Sequence, residues 1–417
     1  MSRMVIEGGK RLEGKVEVHG SKNAVLPILA ATVLGNGISV IHDCPKLKDV
    51  ASSIEILRGL GCKVSWQNNT VIINSENIFT HYIPEKLMRE MRSSIIFLGA
   101  IISRCRKATI SMPGGCELGP RPIDLHIKAF RQLGIKIDES HGYISCSVDK
   151  IACGDIHLDF PSVGATENIM LVASLAKGVT TINNAAKEPE IVDLQNFLNK
   201  MGAKIRGAGS SIITINGVDK LSSVEYRAIP DRIVAATYLS AAAITGGYVT
   251  VNNLIPSHIS SVCSVLRECG CKLQQEANAI TIKAPKRPLP VDFVRTLPYP
   301  GFPTDAQSPL MAVLSVASGT SIIAENMFEN RFKHVAELNR MGADIKVDGR
   351  IAVTRGVERL SGAKISATDL RGAAALVIAG LNADGITEVD GMHHLDRGYE
   401  SFEKSLSKLG AKIKRVD

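Results

Sequence analysis

The stretch LRGLGCKV at residues 57–64 is the first of six related stretches that decide the fold. Each begins as the last turn of an amphipathic helix, passes through one glycine and continues into a strand. Glycine adopts positive φ without steric cost, so it commonly follows a helix end. The spacing predicts six copies of one α/β unit of about 70 residues. The six glycines, 68 to 73 residues apart, are Gly61, Gly134, Gly202, Gly270, Gly342 and Gly410.

A second helix is predicted in each copy, upstream of the strands. Its segments begin near residues 21, 91, 162, 230, 303 and 367, and small apolar residues cover nearly all of their sides. Such a pattern indicates a buried helix enclosed by sheets. Each segment opens with polar or charged residues, and the first N–H groups of a helix favour an anion. The six helix starts are expected to converge on one region.

The ends of the chain indicate how the units are grouped. The sixth copy runs only to KIKRV at 412–416, without the strands that close the other copies. VIEGGKRLEGKVEV at 5–18 resembles those closing strands and is expected to complete the sixth unit. Three units then occupy 21–227, and three occupy 228–417 together with 1–20. Two similar α/β domains with a cleft between them are expected, and such clefts commonly bind small molecules.

Composition limits the class of function. The net charge is +8 among 417 residues, but the cations are scattered and aromatic residues make up only 4%, which disfavours nucleic-acid binding. The sequence pattern indicates neither a signal peptide nor a membrane span, so a cytoplasmic protein is expected. The nine cysteines lack the paired spacing of a zinc site, and the histidines lack metal-site spacing. No metal is therefore expected.

The loop MPGGCELGPRP at 112–122 carries the strongest single candidate for chemistry, Cys116. Two glycines precede the thiol, and Arg121 can favour its thiolate or bind an anion. Loop cysteines are more often inert than catalytic, so this residue alone leaves both interpretations open. Pro122 and Asp124 can open a helix directly after Arg121, which favours a phosphate at that position.

Charged and polar side chains recur at the starts of the buried helices. Capping explains Asp305 and Asp369 in the simplest way, and surface ion pairs would explain Arg331 and Arg397. Recurrence at equivalent positions of a repeat instead favours a shared site. A cleft lined by these cations suits a substrate with several phosphate or carboxylate groups. The candidates from this pattern are Lys22, Asn23, Arg92, Asp305, Arg331, Asp369, Arg371 and Arg397.

These motifs together resemble the family of UDP-N-acetylglucosamine 1-carboxyvinyltransferases, the enolpyruvyl transferases that open peptidoglycan synthesis. The resemblance covers the whole chain, and the PGGC loop is its most specific part. Phe160 departs from it, because some members have a lysine there. The matching segments are SKNA (21–24), MPGGCELGPRPIDLH (112–126), FPSVGATEN (160–168), YPGFPTDAQ (299–307), FENRF (328–332), ATDLR (367–371) and DRGYE (396–400).

The resemblance implies an inside-out α/β barrel, with two domains of three units each, helices inside and sheets outside. It also implies transfer of the enolpyruvyl group of phosphoenolpyruvate to the 3-hydroxyl of UDP-N-acetylglucosamine, with release of phosphate. Both partners are small molecules. No cofactor, nucleic acid or membrane is implied, and the oligomeric state stays open.

The same resemblance implies roles for individual residues. Cys116 is expected to protonate C3 of phosphoenolpyruvate and to form a covalent phospholactoyl adduct, and Asp305 is the candidate base for the sugar hydroxyl. Lys22, Arg121 and Arg397 are expected to bind phosphoenolpyruvate. The nucleotide sugar is expected to contact Asn23, Arg92, Arg121, Pro122, Ile123, Asp124, Leu125, Ser162, Val163, Gly164, Asp305 and Met327. Arg331, Asp369 and Arg371 are substrate-binding candidates from the pattern of charged residues alone.

Two alternatives follow from the same six-unit layout. A ring-shaped DNA clamp is also assembled from six α/β units, but it gives no reason for the PGGC loop. A 3-phosphoshikimate 1-carboxyvinyltransferase shares the implied fold and would not need the cysteine.

Overall fold

The computed structural model describes residues 2–112 and 123–416. Contacts divide the chain into two compact units. The continuous unit takes residues 20–229, apart from the segment that is not described. The discontinuous unit takes Met1–His19 together with Pro230–Asp417. Each unit has its own hydrophobic core.

Three central helices lie inside each unit and are buried on nearly all sides, as their small-residue patterns predict. Ala, Gly and Ser allow such helices to approach closely, and sheets cover their remaining surfaces. In the continuous unit they are Lys22–Ala31, Ile96–Cys105 and Val163–Ala173, the first followed by the 3₁₀ helix Thr32–Leu34 and the second preceded by Arg92–Ile95. In the discontinuous unit they are Arg232–Ile244, Thr304–Leu314 and Leu370–Asn382.

Six outer helices each end just before one of the six repeated glycines, which we call the glycine stops. All six glycines have positive φ, between 78° and 113°. Around Gly61 the N–H of Cys62 donates to the carbonyl of Leu57, and equivalent bonds recur in the other copies, so each helix ends in the same hydrogen-bonded turn. The outer helices are Lys48–Leu60, Asp124–Gln132, Pro189–Lys200, Ser260–Glu268, Val335–Arg340 and Phe402–Lys408. Short helices also occur at Glu85–Glu90, Pro256–Ile259 and Met392–Leu395.

Six four-stranded sheets cover the central helices, three in each unit. In order of pairing, those of the continuous unit are Glu225–Arg227, Ile38–His42, Thr70–Asn74, Lys63–Gln67; Tyr82–Ile83, Lys107–Ser111, Tyr143–Ser147, Lys136–Ser140; and Asp155–His157, Val179–Asn183, Ile212–Asn216, Lys204–Arg206. Those of the discontinuous unit are Glu13–Glu17, Tyr248–Asn252, Ala279–Lys283, Lys272–Gln275; Phe293–Arg295, Thr320–Ala324, Ile351–Arg355, Asp344–Asp348; and Lys364–Ser366, Ile386–Asp390, Arg3–Glu7, Lys412–Val416. Six units with helices inside and sheets outside confirm the expected fold class.

The two N-terminal strands lie in different sheets. Arg3–Glu7 pairs antiparallel with Lys412–Val416 and lies in the sixth sheet. Glu13–Glu17 instead pairs parallel with Tyr248–Asn252 in the fourth sheet, so only part of the segment 5–18 lies where the sequence places it. In four sheets the edge strand comes from just upstream of the central helix.

The first and fourth sheets exchange their edge strands. Glu225–Arg227, upstream of the fourth central helix, pairs with Ile38–His42 of the first sheet. The N–H of Ser21 donates to the carbonyl of Ile229 in one unit, and the N–H of Asp231 donates to that of His19 in the other. Within residues 2–112 and 123–416, the chain therefore changes units twice, once after residue 19 and once after residue 229.

Candidate active site

Asp305 lies between two buried guanidinium groups in the discontinuous unit. Its Oδ1 is 2.7 Å from Nη2 of Arg331, and its Oδ2 is 2.9 Å from Nη2 of Arg371. Both arginine side chains are 2% exposed, whereas the carboxylate is 28% exposed. The two cations orient the carboxylate from the protein side and leave part of it accessible to a ligand.

The local fold explains this arrangement. Asp305 is in the first turn of its helix, and Pro303 rather than Asp305 is the residue at the capping position. Arg331 also donates to the carbonyl of Thr304, at 3.1 Å from Nη2, which fixes the guanidinium beside the start of the helix. Capping, the simplest interpretation of Asp305 from sequence, is therefore wrong for this residue.

Asp369 does cap its helix. Its Oδ1 accepts from the N–H groups of Arg371 and Gly372, both at 3.0 Å. The Arg371 guanidinium stacks over the ring of Tyr399, 5.4 Å from its centroid. Although burial opposes its charge, Asp305 and Tyr399 keep the pKa of Arg371 above its usual value. Within the discontinuous unit, the fold thus brings together Asp305, Arg331, Asp369 and Arg371, which the sequence proposes separately.

Glu325 is a buried carboxylate that the sequence analysis missed. Its Oε1 accepts from the N–H groups of Met327 and Phe328 at 2.8 and 3.1 Å, and from the hydroxyl of Thr296. Its Oε2 accepts from the hydroxyl of Thr304 at 2.9 Å. Glu325 therefore connects the backbone of Met327, a candidate residue, to the residue before Asp305. The sequence signal for Glu325 is its position as a charged residue directly after the apolar strand Thr320–Ala324.

In the continuous unit, Lys22 stands at the start of the first central helix. Ser21 caps this helix, and Lys22 Nζ lies 3.2 Å from Oδ2 of Asp49. Asp49 is 1% exposed and Lys22 is 9% exposed. A buried carboxylate holds the ammonium in one place, so Asp49 is a second residue that sequence analysis missed. Asn23 is half-buried on the next position of the helix.

The start of the third central helix contains the candidates Ser162, Val163 and Gly164. Ser162 Oγ accepts from the N–H of Ala165 at 3.3 Å, so the side chain caps the helix. The first N–H groups of a helix have no partner within it and are suited to bind an anion. The ring of His126 lies against Gly164, which brings the segment 123–125 close to this helix start. Ile123 and Leu125 are half-buried there, Asp124 is exposed, and Phe160, just upstream, is 43% exposed.

Some candidates cannot be placed. Cys116, Arg121 and Pro122 lie outside the described residues, and so does the side chain of Arg92. Arg397 is half-buried. Eight other cysteines are described, and none is in a disulfide. Burial raises the pKa of Cys44 to about 12, which makes that thiol unsuited to acid–base work.

Within residues 2–112 and 123–416, no group of three or more His, Cys, Asp or Glu side chains has the arrangement of a metal site. No helix in the same part of the chain is long and apolar enough to cross a membrane.

Comparison with known proteins gives a family. The family model for EPSP synthase (3-phosphoshikimate 1-carboxyvinyltransferase) matches residues 6–406. A protein of Caldanaerobacter subterraneus subsp. tengcongensis named UDP-N-acetylglucosamine 1-carboxyvinyltransferase 2 is 58% identical over 416 residues, which cover 100% of both chains.

Two solved structures share the fold. The enolpyruvyl transferase NikO from Streptomyces tendae superposes with a TM-score of 0.90 at 24% identity, covering 100% of this chain and 99% of that one. An EPSP synthase from Acinetobacter baumannii has a TM-score of 0.77 at 19% identity, with both chains fully covered. Because the full-length relative at 58% identity is named a UDP-N-acetylglucosamine 1-carboxyvinyltransferase, neither a DNA clamp nor a shikimate-type enzyme is favoured. The chain belongs to the enolpyruvyl transferases of the EPSP synthase family and, within them, to the UDP-N-acetylglucosamine 1-carboxyvinyltransferases.

Proposed function

We propose that this enzyme transfers the enolpyruvyl group of phosphoenolpyruvate to the 3-hydroxyl of UDP-N-acetylglucosamine and releases phosphate, at the start of peptidoglycan synthesis. The observation that carries the proposal is the Asp305 carboxylate, oriented by two buried arginines, in a chain 58% identical over its full length to a relative of that name.

Asp305 is the proposed base. Its oxygens accept hydrogen bonds from both arginines, and the side chain is 28% exposed, so the exposed part of the carboxylate can accept a proton from a substrate hydroxyl. Fixing the carboxylate before substrate arrives removes the cost of orienting it during the reaction. Met327, whose backbone Glu325 positions, is proposed to contact the same sugar nucleotide.

Cys116 is the proposed acid. Its thiol proton goes to C3 of phosphoenolpyruvate, which leaves C2 electron-poor, and the sugar 3-oxygen adds there as Asp305 takes the hydroxyl proton. The Cys116 thiolate then takes a proton back from C3, and phosphate leaves C2 with the proton from Asp305, which restores the double bond and both side chains. The same C2 can instead accept the thiolate sulfur, which gives the covalent phospholactoyl adduct.

The remaining candidates are proposed as binding residues. Lys22, Arg121 and Arg397 neutralise the carboxylate and phosphate of phosphoenolpyruvate. Asn23, Arg92, residues 121–125 and residues 162–164 bind the sugar nucleotide. Arg331, Asp369 and Arg371 line the Asp305 side of the substrate site.

The experiment is a phosphate-release assay with phosphoenolpyruvate and each of two acceptors. UDP-N-acetylglucosamine should support turnover, and shikimate 3-phosphate should not. If shikimate 3-phosphate supports turnover and UDP-N-acetylglucosamine does not, the proposed acceptor is wrong. If no phosphate is released with either acceptor, the proposed reaction is wrong.

A further inference from the structure

Asn168 is a fully buried amide that connects three segments of the continuous unit. Its Oδ1 accepts from the N–H of Gly99 at 2.9 Å. Its Nδ2 is 3.0 Å from the carbonyl oxygen of Ile95 and 2.8 Å from Nδ1 of His126. The amide therefore joins the third central helix to the second and to the helix that contains His126.

The chemistry of these partners fixes the direction of every bond. A backbone N–H can only donate and a carbonyl can only accept, so the amide oxygen faces Gly99 and the amide nitrogen faces Ile95. The nitrogen carries only donor hydrogens, so Nδ1 of His126 must accept. The neutral ring then carries its proton on Nε2.

The protonated side of the ring faces a helix start. A Cβ on Gly164 would lie 3.3 Å from His126 Nε2 and 3.2 Å from Cε1, so this edge of the ring is against the second residue of the helix Val163–Ala173. Burial lowers the pKa of His126 to about 4, consistent with a neutral ring. Nε2–H thus adds a donor beside the first N–H groups of that helix, which have no partner within the helix itself.

The packing around Asn168 is close. A Cβ on Gly99 would lie 2.5 Å from Asn168 Oδ1, so the second central helix approaches the amide at a position without a side chain. Ile95 ends the 3₁₀ helix Arg92–Ile95 and is three residues from the candidate Arg92. A displacement of the amide would therefore move two segments with proposed substrate contacts.

We infer that Asn168 is a positioning residue for the sugar-nucleotide half of the site: it sets the Nε2–H tautomer of His126, holds that ring against Gly164 and fixes the backbone at Ile95 and Gly99. This inference rests on the proposed function for its substrate. The hydrogen bond between Asn168 and His126 lies within the protein, so the tautomer of His126 can be measured without substrate.

The first experiment measures the ring nitrogens of His126 by long-range ¹H–¹⁵N NMR in the unaltered enzyme, with a His126→Asn variant to assign the signals. The expected result is an Nε2–H tautomer that persists from pH 8 down to about pH 5. An Nδ1–H tautomer would overturn the inference, because Asn168 could then not donate to the ring. This outcome does not depend on any substrate or on the folding of an Asn168 variant.

The second experiment compares Asn168→Asp with Asn199→Asp. A carboxylate can only accept, so at position 168 it places a proton on Nδ1 and repels the carbonyl of Ile95. Asn199 is a matched control in the same unit, since its amide also bonds both ways to backbone, with Ile205 at 2.8 Å in each direction.

For Asn168→Asp, KM for UDP-N-acetylglucosamine should rise about tenfold or more, with kcat and KM for phosphoenolpyruvate within about threefold. Asn199→Asp should leave all three within about twofold. An unchanged sugar-nucleotide KM in folded Asn168→Asp, or equal losses for both substrates, would overturn the inference. Failure of the unaltered enzyme to use UDP-N-acetylglucosamine would reject the proposed function instead.

Discussion

The buried carboxylate of Glu325 accepts a hydrogen bond from the hydroxyl of Thr304, the residue immediately before Asp305. Its other oxygen fixes the backbone of Met327 and Phe328. One side chain outside the expected site thus positions two residues within it. Removing the acceptor of such bonds costs stability, because the donors that remain are buried.

Glu325→Ala should lower the free energy of unfolding by about 2 to 5 kcal/mol, because two backbone N–H groups and two hydroxyls lose their acceptor. Glu325→Gln should lose less, since an amide oxygen can replace Oε1 and the amide NH₂ can donate to Thr304. Chemical unfolding and kcat would be measured for both. Equal losses in the two variants would contradict the role assigned to these hydrogen bonds.

Asp305→Asn should lower kcat about 100-fold or more, because an amide cannot take the hydroxyl proton. Its oxygen can still accept from one arginine, so the protein should remain folded with a lower Tm. Asp344→Asn is the control: Asp344 pairs with Arg355 at 3.9 Å on the surface, and its loss should change neither quantity measurably. Retention of kcat in Asp305→Asn would exclude this carboxylate as the base.

Cys116→Ser should nearly abolish turnover and leave binding of UDP-N-acetylglucosamine largely intact, because a hydroxyl is a far weaker acid than a thiol. Isothermal titration would measure binding and phosphate release would measure turnover. Cys153→Ser, at a half-buried cysteine elsewhere in the chain, should behave like the parent.

A Cys116→Asp variant separates acid from thiol. A carboxyl can also donate a proton, so some turnover should survive, but a thiol-directed epoxide should inactivate only the parent enzyme. Equal inactivation of both proteins would mean that the epoxide modifies another residue.

Asp193 gives a pH dependence with a defined sign. Burial raises its pKa to about 6, although the hydroxyl of Tyr226 donates to Oδ1 at 2.6 Å and opposes the rise. The folded protein therefore binds more protons than the unfolded chain between about pH 4 and 6, and stability from this group is lost as pH rises through that window. Asp193→Asn removes the titration.

Across that window, the stability of the parent relative to Asp193→Asn should fall by up to about 3 kcal/mol. Unfolding at fixed ionic strength would be measured from pH 4 to 7. Buried histidines contribute equally to both proteins and cancel in the difference. A difference that stays constant with pH would mean that the pKa of Asp193 is not raised.

The glycine stops can be tested with a pair of substitutions. Gly202→Ala places a side chain at φ 107° with no atom within 4 Å, so backbone strain alone should destabilise by about 1 kcal/mol. Gly59→Ala lies within the helix Lys48–Leu60, also in open space, and should stabilise by about 0.5 to 1 kcal/mol. Shifts of the same sign in thermal unfolding would contradict the assigned role of the glycine stops.

The repeat could be predicted because its signal is local. A glycine at a helix end and a helix of small apolar residues each specify a backbone conformation within a few residues, and the six copies support one another. The exchange of Glu13–Glu17 with Glu225–Arg227 could not be predicted, because both strands precede a central helix and offer similar edges to a parallel partner. Only tertiary packing selects between the two sheets.

The candidate site, too, could be predicted only in part. Positions at helix starts predicted Asp305, Asp369 and Arg371 as candidates. Their partners could not be read from spacing: Arg331 reaches Asp305 from a separate turn, and Asp49 reaches Lys22 from another helix. Asn168 and Glu325 are buried polar residues inside apolar sequence. The three partners of Asn168 lie 42 or more residues away along the chain, and Glu325 reaches Thr296, 29 residues away.

The pairing of Arg3–Glu7 with Lys412–Val416 has a consequence for synthesis on the ribosome. The first strand emerges roughly 400 residues before its partner, a delay of about 20 to 80 s at ordinary rates of translation. The continuous unit can complete its sheets as soon as Glu225–Arg227 has emerged. Arg3–Glu7 must meanwhile stay unpaired, whereas Glu13–Glu17 can pair as soon as Tyr248–Asn252 has emerged. The many charged residues of EGGKRLEGKVE at 7–17 oppose aggregation of this N-terminal segment while it is unpaired.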